Sequence, residues 1–188
     1  AFLLFQVQPM ISKFILPWFG GSPAVWTTAM LFFQCVLCAG YVYAHVLTRM
    51  HSRQWQAGIH IALLLLGAVL ASTILPDASW KPTGEEAPAM QVLLILGASV
   101  GVPYFCLATT GPLVQHWFSH TAQTGSVYRL YALSNIGSFA ALLSFPYLFE
   151  PWFDLQQISN WWGWGFGLFV LLCLPIALGW GQQANEHQ

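Results

Sequence analysis

The chain has 188 residues, of which 57% are hydrophobic and only 6% are charged, and its formal net charge is −1. A soluble globular protein is about 25% charged because its surface must meet water, so this composition argues against a soluble enzyme. A net charge near zero also argues against electrostatic binding of nucleic acid. We therefore expect an integral membrane protein whose outer surface contacts membrane lipids.

Long apolar runs predict six transmembrane helices. The hydrocarbon core of a bilayer is about 30 Å thick and a helix rises about 1.5 Å per residue, so one span needs about 20 mainly apolar residues. In chain order, the predicted helices are residues 1–16, 25–47, 55–75, 90–114, 128–149 and 161–180. The runs are too long, and alternate too little, for the strands of a membrane barrel. The predicted fold class is an all-α, polytopic helix bundle.

The extent of the apolar sequence predicts a single domain. Because no polar linker interrupts the chain, we expect residues 1–188 to form one transmembrane domain. The first predicted helix begins in apolar sequence at Ala1 without an initiator Met, and the chain ends in a short polar tail. We therefore expect this domain to belong to a longer protein.

The charged residues predict an orientation in the membrane. Arg49 and Arg53 lie between the second and third predicted helices, and Arg129 begins the fifth. Five of the six acidic residues fall in the alternate loops, at Asp77, Glu85, Glu86, Glu150 and Asp154, where Lys81 is the only clear base. Because an excess of Arg marks the cytoplasmic side, both termini are expected to face the cytoplasm. An aromatic belt is predicted at the two ends of the last helix, formed by Trp161, Trp162, Trp164 and Trp180.

Small residues in two predicted helices indicate close helix packing. Gly97 and Gly101 form a GxxxG pair in the fourth helix. A stripe of small residues along the fifth consists of Ser134, Ser138 and Ala141. In lipid, small side chains let backbones approach, and van der Waals contact then stabilises the association. These motifs predict packing within the bundle rather than a ligand site.

Polar side chains inside the first and fourth predicted helices form the candidate binding site. A charge inside a membrane is costly, so an ionisable residue there suggests a functional role. Lys13, however, is also close enough to the end of its helix for its side chain to reach the interface. Pro9 and Pro103 lack an N–H, so each frees a carbonyl that needs a partner in lipid. We expect the two helices to face each other and to enclose a polar pocket. Its predicted ligand-binding residues are Gln6, Gln8, Lys13, Tyr104 and Thr109.

Histidines and cysteines are the residue types that could bind haem or a metal. Four histidines stand near helix ends on the predicted cytoplasmic side, at His45, His60, His116 and His120. A location at the membrane interface explains these histidines more simply than a role as paired axial ligands of haem or as metal ligands. Cys35 and Cys38 form a CxxC within a predicted span, where packing is the expected role. The sequence predicts no cofactor, no metal site and no disulfide.

Six short motifs spread over most of the chain carry a resemblance to a known family. They are FQVQPM at 5–10, LPWFGGSPAVW at 16–26, GVPYF at 101–105, TTGPL at 109–113, YRLYALSNIGS at 128–138, and Glu150-Pro151. These stretches resemble the membrane portion of the bacterial spermidine-synthase-like integral membrane proteins, of the fused major-facilitator/spermidine-synthase type. The resemblance implies a module of the bacterial inner membrane.

The same resemblance limits what can be expected chemically. Such proteins carry a cytoplasmic domain similar to polyamine aminopropyltransferases after the membrane module. The nucleotide-binding glycines and catalytic carboxylates of that domain match nothing in this chain, which is therefore expected not to be an enzyme. A cytoplasmic carboxyl end would suit an attached synthase-like domain.

Three functions remain open from the sequence. The first is a non-catalytic subunit or module that packs with other membrane protein subunits or anchors a synthase-like domain. The second is a module that binds or transports a small molecule between the first and fourth helices, and the third is a haem or metal protein. The scarcity of polar residues in the aromatic-rich spans favours the first. None of the six acids lies in mid-span, which counts against polyamine transport.

Overall fold

The structure, a computed structural model, describes residues 1–82, 87–119 and 125–182, and only the backbone of 125–127. Within these residues it contains helices and turns but no strand. Six helical spans among the described residues are long and apolar enough to cross a membrane. The protein is therefore a multi-pass, all-α membrane protein, and the predicted fold class is confirmed.

In the part of the chain that is described, eight α-helices form the six spans. They are α1 (Phe2–Ile15), α2 (Pro23–Thr48), α3 (Arg53–Leu70), α4 (Pro88–Leu96), α5 (Val102–Ser119), α6 (Gly125–Ser144), α7 (Glu150–Trp152) and α8 (Leu155–Gln182). A π-helical turn at Gly97–Gly101 joins α4 to α5, and another at Phe145–Phe149 joins α6 to α7. Each of these pairs forms one span.

Three helix boundaries differ from the predicted ones by five residues or more, and one of them is the end of α3, at Leu70 rather than 75. The helix α5 continues through Pro112 to Ser119 rather than ending at 114. In lipid an interrupted helix would expose unpaired backbone groups, so the helical path is kept across the proline. The helix α8 begins at Leu155, six residues before the predicted start. Its start is set by a capping box in which the Asp154 carboxylate accepts the Gln157 N–H at 2.7 Å and the Gln157 side chain accepts the Asp154 N–H at 3.2 Å.

Two loops are stabilised by local features of their sequence. Gly20 and Gly21 have φ of +73° and +66°, which lets the chain reverse between α1 and α2 at no steric cost. After α3, the Asp77 carboxylate accepts the Ser79 N–H at 2.9 Å. This hydrogen bond stabilises the ionised carboxylate and holds the pKa of Asp77 below its usual value.

Close helix contacts occur at glycines other than the predicted pair. The helix α2 packs along α5, α3 along α8, and α1 along α6 and α8. A Cβ placed on Gly40 would lie 2.8 Å from the Ala108 Cβ, and one on Gly67 would lie 2.6 Å from the Cys106 Sγ. A Cβ on Gly97 would have no described neighbour within 4 Å. The GxxxG motif is therefore not the site of closest approach, because Gly97 lies on a face of its helix that no other described helix covers.

The predicted aromatic belt is only half present. Trp161 and Trp164 are 50% and 80% exposed, but Trp162 and Trp180 are buried. The Trp162 indole N–H donates to the Leu3 carbonyl at 2.8 Å, which joins α8 to α1. The prediction is wrong for the two buried tryptophans, because the helical period of α8 turns them towards the bundle.

Candidate functional site

Two of the predicted binding residues meet between α1 and α5. The Gln8 amide donates to the Tyr104 hydroxyl at 3.0 Å. Tyr104 is 1% exposed, and its ring lies 4.9 Å from that of Phe33, measured between centroids. The first and fourth predicted spans therefore touch at this pair.

The other three predicted residues have different partners. The Gln6 amide donates to the Ser144 hydroxyl at 3.0 Å, and the Lys13 ammonium pairs with the Glu150 carboxylate at 2.5 Å. Successive helical residues are about 100° apart, so Gln6 and Gln8 point in nearly opposite directions from α1. Thr109 is fully buried, and its hydroxyl donates to the Cys106 carbonyl within α5. The five residues therefore do not enclose one common pocket.

The two ends of the bundle differ in charge. Arg49, Arg53 and Arg129 lie at the end where α2 finishes and α3 and α6 begin, which we name the arginine end. Asp77, Glu150 and Asp154 lie at the opposite end, together with Lys13 and Lys81, and we name it the acidic end. One face of α2 and one face of α6 line two cavities, each nearer to a different end.

The first cavity lies towards the arginine end, between α1, α2, α5 and α6. It has a volume of about 530 Å³ and opens to the outside of the bundle. Apolar walls are supplied by residues that include Phe5, Leu37 and Pro112. Its polar lining consists of Tyr41, Gln115, Tyr131, Ser134, Asn135 and Ser138. The described lining residues include no Lys, Arg, Asp or Glu side chain.

Several polar groups of the first cavity lack a partner. Within the described part of the chain, the Tyr41 and Tyr131 hydroxyls and the Gln115 and Asn135 amides make no side-chain hydrogen bond. Asn135 lies in the interior of α6, at membrane depth. An unpaired amide in hydrocarbon is costly, so these groups fit a cavity that holds water or a ligand.

The second cavity lies towards the acidic end, between α1, α2 and the end of α6. It also has a volume of about 530 Å³. Phe33 and Phe145 are buried at its back, while Met30 and Leu142 are exposed at its rim. Its polar lining consists of Gln8, Ser12, Lys13 and Glu150.

A polar network is buried near the arginine end, outside both cavities. The Gln56 side-chain oxygen accepts the indole N–H of Trp117 at 3.2 Å and that of Trp180 at 3.1 Å. Its amide nitrogen donates to the Met50 carbonyl at 2.7 Å. The Arg53 guanidinium lies 4.4 Å from the centre of the Trp180 ring. This network joins α3, α5 and α8, and it explains why Trp180 is buried.

The histidines do not share one environment. His45 is exposed at the end of α2, but His60 is 1% exposed, and its Nε2 lies 3.1 Å from the Thr110 hydroxyl. The interfacial position predicted for His60 is wrong, because α3 begins at Arg53 and places His60 about two turns inside the bundle. His120 lies outside the described residues, and His116 is half-buried.

Metal ligands do not gather in the part of the chain that is described. No three His, Cys, Asp or Glu side chains approach closely enough there to hold a metal ion. The four cysteines are free thiols, with Cys35 and Cys38 exposed on α2 and Cys106 and Cys173 buried.

The sequence predicted only helix packing for Ser134 and Ser138, which line the first cavity, but it contained one signal of a polar lining. Asn135 is a strongly polar residue in the middle of an apolar span, the same feature that drew attention to Gln8. Tyr41 and Tyr131 carry no such signal, since tyrosine is common near membrane interfaces, and Gln115 lies just beyond the predicted end of its helix at 114.

Comparisons with protein-family models, with curated proteins and with solved structures found no match.

Proposed function

We propose that this chain is a non-catalytic membrane module that binds a small, uncharged polar molecule in the first cavity. One observation carries the proposal: hydroxyl and amide groups from three helices line a cavity at membrane depth without hydrogen-bond partners among the described residues. A volume of about 530 Å³ falls within the range of small-molecule sites, which is about 300–1,000 Å³.

The chemistry of the lining indicates the class of ligand. Amides and hydroxyls both donate and accept hydrogen bonds, so they suit a ligand that carries both kinds of group. A charged ligand would need an opposite charge in a site of low dielectric, and the described side chains of the lining supply none. The walls formed by Phe5, Leu37 and Pro112 suit an apolar body. Among the described residues the site therefore lacks the carboxylates that a polyamine would require.

Ligand binding can be tested with a library of purified, uncharged polar metabolites and native mass spectrometry of the detergent-solubilised protein. We expect at least one compound to bind with 1:1 stoichiometry. Replacing Asn135 with Leu should weaken its affinity about tenfold, because the ligand group that bonds to the Asn135 amide would lose its partner, at a cost of about 1–3 kcal/mol.

A matched variant controls for indirect effects. Asn160 is an exposed asparagine on α8, outside the first cavity, where its side chain accepts from Gln156 at 3.2 Å. Asn160→Leu should leave the affinity unchanged. The proposal is wrong if no compound in the library binds, or if Asn135→Leu and Asn160→Leu bind it equally well.

A second proposal is that the module packs with other membrane protein subunits or anchors a synthase-like domain. The position of α6 supports it, because this helix packs mainly on α1 and most of its remaining surface is exposed. Small and polar groups on that surface, including Ser134 and Asn135, would suit contact with another helix. A failure of every metabolite to bind would favour this second proposal.

We also propose that the protein lies in the bacterial inner membrane with both termini in the cytoplasm. The arginine end supports this orientation through the excess of Arg near cytoplasmic helix ends. In intact cells, a membrane-impermeant maleimide should label Ser79→Cys but not Ser52→Cys, with the parent chain as the control for its own cysteines. Labelling of position 52 from outside would show the opposite orientation.

A further inference from the structure

We infer that the second cavity binds one membrane phospholipid whose head group carries a phosphate and a primary ammonium, such as phosphatidylethanolamine. The inference does not depend on the ligand proposed for the first cavity. It rests on a cleft with apolar walls and an ion pair at its mouth, in which both charges retain exposed surface.

The walls of the cleft suit an acyl chain. Trp26, Met30 and Phe33 repeat along one face of α2, and Leu142 and Phe145 face them from the span that contains α6. From Trp26 to Phe33 the cleft runs along about 10 Å of helix, given a rise of about 1.5 Å per residue. Because Met30 and Leu142 are exposed at the rim, a chain can enter sideways from the bilayer.

The mouth of the cleft lies at the level of lipid head groups. Lys13 is two residues from the end of α1, and Glu150 begins α7 at the end of its span. The side chains of Lys13 and Glu150 are 45% and 41% exposed, respectively. An acyl chain between the apolar walls would therefore place its head group beside this pair.

The ion pair selects the charge of the head group. The Lys13 ammonium has three donors and its contact with Glu150 uses one, so it can also bind a phosphate oxygen. The Glu150 carboxylate keeps a second oxygen for an ammonium group. A zwitterionic head group therefore meets a favourable charge at both residues, whereas an anionic lipid meets Glu150 as a like charge. A primary ammonium can donate hydrogen bonds to the carboxylate and a trimethylammonium cannot, which favours ethanolamine over choline.

The test uses vesicles that contain equal amounts of phosphatidylethanolamine, phosphatidylcholine and phosphatidylglycerol with identical acyl chains. After mild detergent extraction, native mass spectrometry counts the lipids retained by the protein. We expect the wild-type chain to retain one phosphatidylethanolamine, about fivefold in excess over either of the other two lipids. Glu150→Gln should remove that excess. The double variant Lys13→Glu with Glu150→Lys should keep it, because both charges remain at the mouth.

A pair of matched variants tests the cleft itself. Met30→Trp fills the space between α2 and α6 and should abolish lipid retention while the ion pair stays intact. Met90→Trp makes the same change at a methionine of equal exposure, 59% against 60%, which does not line the cleft. It should retain phosphatidylethanolamine as the wild type does. Equal retention of the three lipids by the wild type, or equal retention by the two tryptophan variants, would overturn the inference.

Discussion

Replacing Gly40 with Ala is expected to destabilise the bundle by about 1–3 kcal/mol, and replacing it with Leu should do so more strongly. A Cβ at position 40 would lie 2.8 Å from the Ala108 Cβ, 3.2 Å from the Ala108 carbonyl carbon and 3.3 Å from the Thr109 nitrogen. None of these atoms belongs to the end of a flexible side chain. The strain is therefore relieved only when α2 and α5 move apart.

The measurement is the thermal midpoint of the detergent-solubilised protein, followed by size-exclusion chromatography. Gly58→Ala on α3 is the matched control, because a Cβ there meets no described atom within 4 Å. That variant should gain up to about 1 kcal/mol from the higher helix propensity of alanine. Equal midpoints for Gly40→Ala and Gly58→Ala would contradict the close contact.

The same substitution should also change the proposed binding site. Ala108 lines the first cavity, and so do Leu37 and Tyr41 on either side of Gly40. A shift of α2 away from α5 would separate these walls. We therefore expect Gly40→Ala to weaken binding of whatever metabolite the first cavity holds, even where the protein remains folded.

Replacing Gln56 with Leu is expected to destabilise the protein by at least about 2 kcal/mol, although the substitution makes the site more apolar. The leucine side chain would leave the indole N–H groups of Trp117 and Trp180 without the acceptor that both use, and the Met50 carbonyl without its donor. Each buried polar group that loses its partner costs about 1–3 kcal/mol. The loss should appear as a lower thermal midpoint.

Two controls separate the network from the general effect of removing an amide. Gln156→Leu changes an exposed glutamine on α8 and should alter the midpoint little. In a background that carries Trp117→Phe and Trp180→Phe, Gln56→Leu should cost much less, because the two donors are already gone. An equal cost in both backgrounds would mean that the two indole contacts contribute nothing.

The number and approximate extent of the spans followed from the sequence alone. Hydropathy over about 20 residues is a local property, and lipid requires every span to satisfy its own backbone hydrogen bonds. Because an interrupted helix in lipid would leave backbone groups unpaired, α5 continues past Pro112 to Ser119, whereas the predicted helix ended at 114. The sequence also contained a local signal for the early start of α8, because Asp154 and Gln157 have the spacing of a capping box.

The sequence also identified polar residues inside spans, but not their partners. Gln8 and Tyr104 meet as expected, although they are 96 positions apart in the chain. Gln6 and Lys13 instead face the span that contains α6, because the rotation of α1 about its axis decides which neighbour each residue meets. That rotation is set by the packing of all the helices together.

Tertiary structure alone decided where helices approach most closely and where they leave space. Gly97 and Gly101 have the local pattern of a packing motif, yet Gly40 and Gly67 make the close contacts. The polar lining of the first cavity comes from α2, α5 and α6, which are distant in sequence. In an aromatic-rich chain, nearly every helix face is apolar, so the hydrophobic pattern does not specify which face is buried. Shape complementarity between particular side chains makes that choice, and it exists only once the helices are assembled.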